Sequence, residues 1–300
     1  MNKMKKLVPI FLLLCLFVFK GCSEQSRSEV DSNPGNVVIG TFNVEWLGDG
    51  VRDRVKRTEK DYSNISKIIK KTGADIMALQ EVENSKAMKR LLKYLPGYKF
   101  YISNSGSAQK LAVVYKNTVK MDLKGDYNPL IVKKRRTRPG LLFDAKKGNF
   151  DFKVMVVHFK STSHWDNTPE KRAISVDLRR QQAEKVADWV NWTLKNRKEE
   201  DLIVVGDFND TPQRKKEATL TPMEKRAGLI FLTRDMKSCK FSSWFAIDHI
   251  AVTKSASLRF TSTMPQVLDV HTLFSKAEAE KISDHCPIYA EFEVISPDND

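Results

Sequence analysis

Sulfur and imidazole are scarce in this chain, whose 300 residues include only four cysteines and five histidines. No cysteines and histidines stand together at zinc-ligand spacing, which argues against a structural zinc site. Long apolar runs are missing too. The longest, LVPIFLLLCLFVF at residues 7–19, falls short of the roughly 20 residues that a membrane-spanning helix needs. No segment repeats at a fixed period and no break in composition appears, so neither a repeat array nor a second domain is expected. Acidic residues are in deficit: 37 Asp and Glu face 51 Lys and Arg, a net charge of +14. Such an excess can serve solubility alone, and it also suits a polyanionic partner such as nucleic acid or an anionic membrane. What is plentiful is apolar residues, at 41%, enough to fill the core of one layered α/β domain.

The first residues have the pattern of an export signal. MNKMKK is positively charged, the apolar stretch follows, and KGCSEQ resembles the end of a lipoprotein signal with Cys22 as the acylated residue. Lys20 stands where a small or apolar residue is usual, which leaves ordinary signal cleavage as the alternative. Residues 1–21 are therefore expected to be removed, leaving 47 basic against 37 acidic side chains and a net +10. Residues 22–36, polar with Pro and Gly, are expected to form a flexible tether. Export, with anchoring to a membrane through Cys22 or release, is the expected localisation. Of the four cysteines, Cys239 and Cys286 would then remain in the body; in an oxidising compartment they can pair, or stay as two buried thiols.

From residue 37 to 296 the chain alternates strand-like and helix-like segments, followed by a tail at 297–300. VVIGTFNVEWL (37–47), IMALQEV, YKFYIS, LAVVYK, VKMDL, FDFKVMVVHFKS, LIVVGDFN, CKFSSWFAIDHIAV, SLRFTST and PIYAEFEV are strand-like. Helical periodicity appears around Tyr62, Ile65, Ile68 and Ile69, in AMKRLLKYL, and from about Pro169 to Lys198, where Pro169 suits a first helical turn. Many strands with few helices predict an α/β sandwich.

Several apolar strands contain or end in a residue that a core would reject. Asn43 and Glu45 interrupt the first, Glu81 closes the second, His158 ends VMVVH, and Asp207 with Asn209 ends LIVVGDFN. Burying such a group unpaired costs roughly 1–3 kcal/mol. A single case is ordinarily a satisfied cap, but recurrence at several strand ends predicts that the ends converge on one polar cleft.

The successive segments TFNVEWL, ALQEVE, VVHFKS, VVGDFND, AIDHI and ISDHCPI resemble, in order and spacing, the motifs of the endonuclease/exonuclease/phosphatase superfamily, which includes deoxyribonuclease I-like enzymes. The resemblance spans about residues 37–295. It implies a four-layer α-β-β-α sandwich of two packed mixed β-sheets flanked by helices, and metal-dependent hydrolysis of phosphate esters by in-line attack of water. Mg²⁺ would be the cofactor, with Ca²⁺ or Mn²⁺ as alternatives.

Residue by residue, the resemblance makes Glu81 the principal metal ligand, with Asn43, Glu45 and Asp284 beside it. Asp207 would orient the attacking water or share the metal, and Asn209 and His158 would bond phosphate oxygens, with His158 as the acid for the leaving group in nuclease-type members. His285 would be the base, or the cation facing the phosphate, with Asp248 from the neighbouring strand fixing its ring. His249, one residue on, should point to the opposite face and be structural; His164 and His271 look ordinary. Arg138 and Lys110 would contact phosphate, while the KKRRTR stretch as a whole suits a solvated rim. Trp165 suits base stacking, contact with lipid, or coverage of the following helix.

The basic charge, with His158 and Arg138, favours an endonuclease acting as a monomer on nucleic acid, DNA foremost. A sphingomyelinase or inositol-phosphate phosphatase is the alternative, and a non-catalytic lipid-anchored binding module a second. Sphingomyelinases of the superfamily often present an exposed aromatic hairpin, and no such tip is evident in the sequence.

Overall fold

In the computed structural model, residues 35–106, 109–262, 264–298 and 300, together with Met1, are described. The signal segment and nearly all of the tether, Cys22 included, lie outside the described residues. Strand β1 (Val37–Leu47) is apolar on both faces because both are covered. Val37 and Ile39 enter the layer between two sheets, whereas Val38 and Phe42 pack under helices. The same period-two division holds in β2 (Ile76–Val82), where Ile76 and Ala78 point one way and Met77 and Leu79 the other.

The first sheet has the order β11 (Gln266–Val267), β12 (Ile288–Phe292), β1, β2, β4 (Lys110–Lys116), β3 (Tyr98–Ile102). The second runs β5 (Lys120–Tyr127), β6 (Gly140–Lys147), β7 (Phe150–His158), β8 (Leu202–Asp207), β10 (Asp248–Val252), β9 (Ile230–Phe231). Strands β1 and β2 are parallel, as are β7 and β8, and the other ladders are antiparallel, so both sheets are mixed. Between the sheets lies a continuous core that includes Ile39, Val113, Phe143, Val154, Val205 and Ile250. Each such buried side chain contributes about 1.5–3 kcal/mol.

Helices cover the outer faces. Helix α1 (Glu59–Lys71) starts with a reciprocal cap between Thr58 and Asp61 and presents Tyr62, Ile65 and Ile69 to the first sheet. Helix α2 (Ser85–Leu92), capped by Asn84, adds Met88 and Leu91. Helix α3 (Pro169–Asn196) places Ala183, Val186 and Val190 over Met155, Val157 and Val204 of the second sheet. The result is the four-layer α-β-β-α sandwich.

Three segments depart from the sequence expectation. The strand β6 was not expected; its Leu141, Phe143 and Ala145 face the core alternately with Asp144 and Lys146. SLRFTST is not a strand: Lys254–Leu258 forms the short helix α4, and only Phe260 bridges to Phe292. A last helix, α5 (Lys276–Ile282), leads into the ISDHC turn. Among the described residues no helix is long and apolar enough to cross a membrane.

Candidate active site

Strand register brings the first three groups together. His158 ends β7 and pairs with Asp207 at the end of β8, which pairs with Asp248 at the start of β10. Paired residues on adjacent strands share a face, so one imidazole and two carboxylates form a row across the mouth of the second sheet. Gly206 makes the approach possible. Its φ is +148°, and a Cβ there would lie 2.0 Å from the Val157 carbonyl oxygen.

The first sheet supplies the opposing groups through two irregularities. The β1–β2 ladder slips after Asn43/Gln80, and the β2–β4 ladder slips after Leu79/Ala112. Within these bulges Glu45, Trp46 and Glu81 all have positive φ, as does Asn209 beyond β8. Left-handed backbone is costly for non-glycine residues and concentrates at functional sites. Here it turns Glu81 inward: its Oε1 lies 3.5 Å from Asn43 Nδ2 and 3.9 Å from His158 Nε2. Asn43 Nδ2 also donates to Asp207 Oδ2 at 3.1 Å, and His158 Nε2 is 3.4 Å from that same oxygen.

His285 closes the ring of groups from the turn between α5 and β12. Its Nδ1 bonds Asp248 Oδ2 at 2.6 Å. Asp248 does not come from the neighbouring strand, as the sequence suggested. It belongs to the second sheet, whereas the turn bearing His285 enters β12 of the first. The pair therefore bridges the two sheets, because packing sets strand ends of different sheets against each other as readily as strands of one sheet. Asp207, Asp248 and His285 each offer an atom within 4.8 Å of the others.

Electrostatics separates the two imidazoles. Burial works against a charged His285, yet Asp248, with Asp207 and Asp284 behind it, overcomes burial and raises the ring to about 10. The imidazolium is thus the resting form at neutral pH, with Nδ1–H donating to Asp248. His158 goes the other way: burial first, then Arg138 and His285, hold it well below its usual value, so it is neutral. Burial, and then the charge on Asp248, raise Asp207.

A family model described as the Endonuclease/Exonuclease/phosphatase family matches residues 40–285. The chain belongs to that family. It is a phosphoesterase. Among curated protein sequences none matches the chain. Among solved structures it is similar to truncated TDP2 from Caenorhabditis elegans, at 17% identity and TM-score 0.62, covering 86% of this chain and 98% of that one. An endonuclease/exonuclease/phosphatase family protein from Bacteroides thetaiotaomicron has 16% identity and TM-score 0.59, covering 88% and 98%. The mannosyl-6-phosphatase Bt3783 of the same organism has 15% identity and TM-score 0.57, covering 85% and 98%. At these identities the likeness concerns the fold.

Family enzymes are generally divalent-metal dependent, and the donors here fit such an ion. Among the described residues Glu81 makes no hydrogen bond shorter than its 3.5 Å contact with Asn43, which leaves its oxygens open to an ion. With Asp207 it forms a pair of hard-oxygen donors suited to Mg²⁺, Ca²⁺ or Mn²⁺; Asn43, expected as a ligand, turns its amide nitrogen to both carboxylates and its Oδ1 to the Glu45 N–H, so it positions them. Glu45 and Asp284, grouped with Glu81 on the sequence, meet each other at the rim: Glu45 Oε2 accepts the Asp284 N–H at 3.0 Å. Burial, then Asp284, raise the Glu45 carboxyl. Asp284 Oδ1 stands 3.6 Å from His285 Nε2.

Of the two expected basic contacts, Arg138 is at the site and Lys110 is not. Arg138 donates to the His158 carbonyl at 3.3 Å and to Gln109 Oε1 at 2.9 Å. Burial lowers its guanidinium, and Glu81 and Asp207 oppose that; it remains a cation. Lys110 Nζ is instead occupied by the Asn104 carbonyl at 2.9 Å. Asn209 Nδ2 bonds the Phe159 carbonyl at 3.2 Å, and its backbone N–H is held by Asp207 Oδ1 at 2.8 Å.

Beyond Arg138 opens a cleft of about 640 Å³ lined by Arg54, Lys134, Arg135, Arg136, Lys160 and Trp165 among others. Its one carboxylate, Asp166, is buried against Arg136 and Lys160. KKRRTR is thus the wall of a cleft and not only a rim. Trp165 stacks on His164 and is 74% exposed, so it does not cover the helix.

His249 is fully buried on the far face of β10, held by Thr233 Oγ1 at 2.7 Å and the Asp210 carbonyl at 3.0 Å. Cys239 and Cys286 form a disulfide. It joins the loops entering β10 and β12, one from each sheet, beside Asp248 and His285. The segment between Lys237 and Phe245 folds back on itself and exposes Phe241 and Trp244, 48% and 64% accessible and stacked at 4.9 Å. This is an aromatic tip that the sequence did not disclose, because exposure of FSSWF depends on the disulfide-anchored turn.

Two contributors were not singled out from the sequence, Ser283 within the ISDHCPI segment and Arg57 outside every motif. Ser283 Oγ donates to the Asn43 carbonyl at 2.7 Å and accepts the His285 N–H at 3.0 Å. Arg57, buried, donates to the carbonyls of Val44, Glu45 and Trp46 in the β1 bulge, and to those of Lys281 and Ile282 before the His285 turn.

Proposed function

We propose that the protein is an exported, divalent-metal-dependent phosphodiesterase that hydrolyses nucleic acid, DNA foremost, by in-line attack of water. The basic cleft beside Arg138 carries this reading: six cationic side chains with a single neutralised carboxylate match the continuous charge of a phosphodiester backbone. Trp165 at its edge suits an unpaired base. Removal of the leader at residues 1–21 leaves the chain basic, as the same substrate requires.

In this reading the scissile phosphate lies between the two halves of the site. The imidazolium of His285 faces one phosphate oxygen through Nε2, with Asp248 fixing the ring from behind. Neutral His158 and Arg138 donate to the others, and Asn209 presents its amide at the edge. Asp207 holds the attacking water and accepts its proton; burial beside Asp248 makes that carboxylate a stronger base than a solvated one. Glu81 would hold the metal, with Asn43 bonding that carboxylate in place; Mg²⁺, the proposed ion, would when bound supply neutralisation of charge on the phosphate and leaving oxygen.

The test is a substrate panel with and without chelator. Supercoiled plasmid should be nicked in Mg²⁺ and spared in EDTA, with cleavage weakening as salt rises. Intact plasmid alongside hydrolysed sphingomyelin or inositol phosphate would refute the nuclease assignment while keeping the phosphoesterase. That second reading is favoured by the Phe241–Trp244 tip beside His285, which suits a lipid surface.

A further inference from the structure

At the opposite end of β8 from Asp207, six residues or about 20 Å away along the strand, three acidic side chains converge. Glu199, Asp201 and Asp300 each offer a carboxylate oxygen within 4.8 Å of the others. Asp201 is 1% exposed, and its Oδ1 is buried with no hydrogen-bond partner. It opens on a cleft of about 640 Å³ that Glu293, Asp298 and Asp300 also line.

The cation at hand does not satisfy this group. Arg259 is the nearest, but its Nε is 4.0 Å from Asp201 Oδ2, while its terminal nitrogens are taken by Asp298 at 3.1 Å, Glu293 at 3.5 Å and two backbone carbonyls. One guanidinium thus faces three carboxylates; Arg197 and Lys198 also line the cleft and Lys153 acts on Glu199 from a distance, but among the described residues none of these three forms an ion pair with Glu199, Asp201 or Asp300. The backbone already orders the ligands. Glu199 Oε1 accepts the Asp201 N–H at 2.8 Å, and Asp300 accepts the Glu200 N–H. Leaving a buried carboxylate oxygen unpaired is costly; burial pushes Glu199 up to about 8 and Asp201 to about 6, opposed by the Asp201 N–H and the Ser255 hydroxyl respectively and aided by the neighbouring acids.

We infer that Glu199, Asp201 and Asp300 form a structural calcium site. The donors are all hard oxygens, arranged irregularly beside an open cleft from which water can complete the six to eight contacts that Ca²⁺ takes. Mg²⁺ demands near-octahedral geometry and gives up its waters reluctantly, so it fits less well. The ion would tie the segment after β12 to the Arg197–Asp201 loop that leads from α3 into β8. It is separate from the catalytic ion, and it serves stability, not turnover.

Thermal unfolding of the whole chain in EDTA and in millimolar Ca²⁺ tests this. Calcium should raise the midpoint of the wild type by roughly 4 °C, and by as much in Glu81→Gln, where the catalytic site is disabled. Mg²⁺ should not reproduce the shift in Glu81→Gln. Asp201→Asn should lose the shift, melt in EDTA no lower than the wild type, and keep its Mg²⁺-dependent hydrolysis. A shift that survives in Asp201→Asn, or disappears in Glu81→Gln, or is absent from the wild type, overturns the assignment. If Asp201→Asn does not fold, Asp300→Asn on the exposed side decides: calcium affinity must fall there, and an unchanged affinity also overturns it.

Discussion

The bond between Asp248 and His285 supplies the sharpest test of the site. Asp248→Asn keeps the shape of the side chain and removes its charge. In the wild type, burial alone would drive the ring toward its neutral form, and Asp248 at 2.6 Å reverses this, lifting His285 to about 10. Against an ordinary value near 6.5, that is a preference of ~4–5 kcal/mol for the imidazolium. Without the carboxylate, burial should dominate and the ring should titrate below about 7. At neutral pH His285 then passes from fully charged to mainly neutral. The ring Cε1–H resonance followed against pH reads this directly, and kcat/KM on plasmid or on a chromogenic phosphodiester should fall about 10²–10⁴-fold at pH 7.5. Part of the loss should return as pH is lowered. The linkage has a definite sign: a raised folded value means stability that is complete below pH 6.5 and is lost as pH rises toward 10, so Asp248→Asn should flatten the alkaline side of the stability curve. A His285 resonance that titrates where it did before, or turnover within threefold of wild type, would show that the pair does not govern the site.

Three further outcomes are expected. Replacing Cys239 and Cys286 together by serine opens a loop of 47 residues and should cost about 4 kcal/mol by the loop-entropy relation; denaturant titration measures this, and a loss under about 1 kcal/mol would contradict it. His249 is lowered to about 4 by burial, so the unfolded chain takes up a proton first, and about 3 kcal/mol should be lost as pH falls from 6.5 to 4; acid titration of wild type against His249→Gln, which should have the shallower slope and retain kcat/KM, checks both points. Glu81→Gln should abolish the stabilisation that Mg²⁺ confers in thermal melts and lower kcat at least about 100-fold, and a variant that still responds to Mg²⁺ would remove Glu81 from the ligand set.

The strands were legible because both faces of the central ones are buried, so VVIGTFNVEWL and LIVVGDFN stand out as apolar runs broken only by site residues. The opposed faces of Asp248 and His249 followed from period two alone. Sheet membership was not legible, because chain order does not say whether β10 and β12 share a sheet; they do not, and the His285–Asp248 pair became an inter-sheet contact. The position of Lys110 was not legible either. The slip between Leu79 and Val82 puts one extra residue in β2 just before Lys110 pairs with Val82; there Lys110 turns to the Asn104 carbonyl, and Gln109 before it accepts from Arg138. Strand β6 was hidden by its outward Asp144 and Lys146, although GN at 148–149 is a turn signal between it and β7. The aromatic tip at Phe241 and Trp244 was hidden because FSSWFAI reads as one apolar run, and only the disulfide and the Lys237–Phe245 bridge turn it outward.

Arg57 explains how two sheets can hold a site to catalytic tolerance. The β1 bulge that sets Asn43 and Glu45 has left-handed backbone and carbonyls outside the ladder, and the chain before Ser283 has carbonyls beyond the end of α5. Both would be unpaired in the interior, at roughly 1–3 kcal/mol for each orphaned group. One guanidinium reaches five carbonyls across the two segments: Nε bonds Trp46, Nη1 bonds Lys281, and Nη2 shares its two hydrogens among Val44, Glu45 and Ile282. It thereby joins the strand bearing Asn43 to the turn bearing His285. The disulfide does the corresponding work between that turn and the loop entering β10, so His285 is fixed from both sheets. Lysine at position 57 keeps the charge but offers three donors on a flexible stem, too few and too loosely set for five carbonyls. The position thus carries an arginine for geometric reasons, although it touches neither metal nor phosphate.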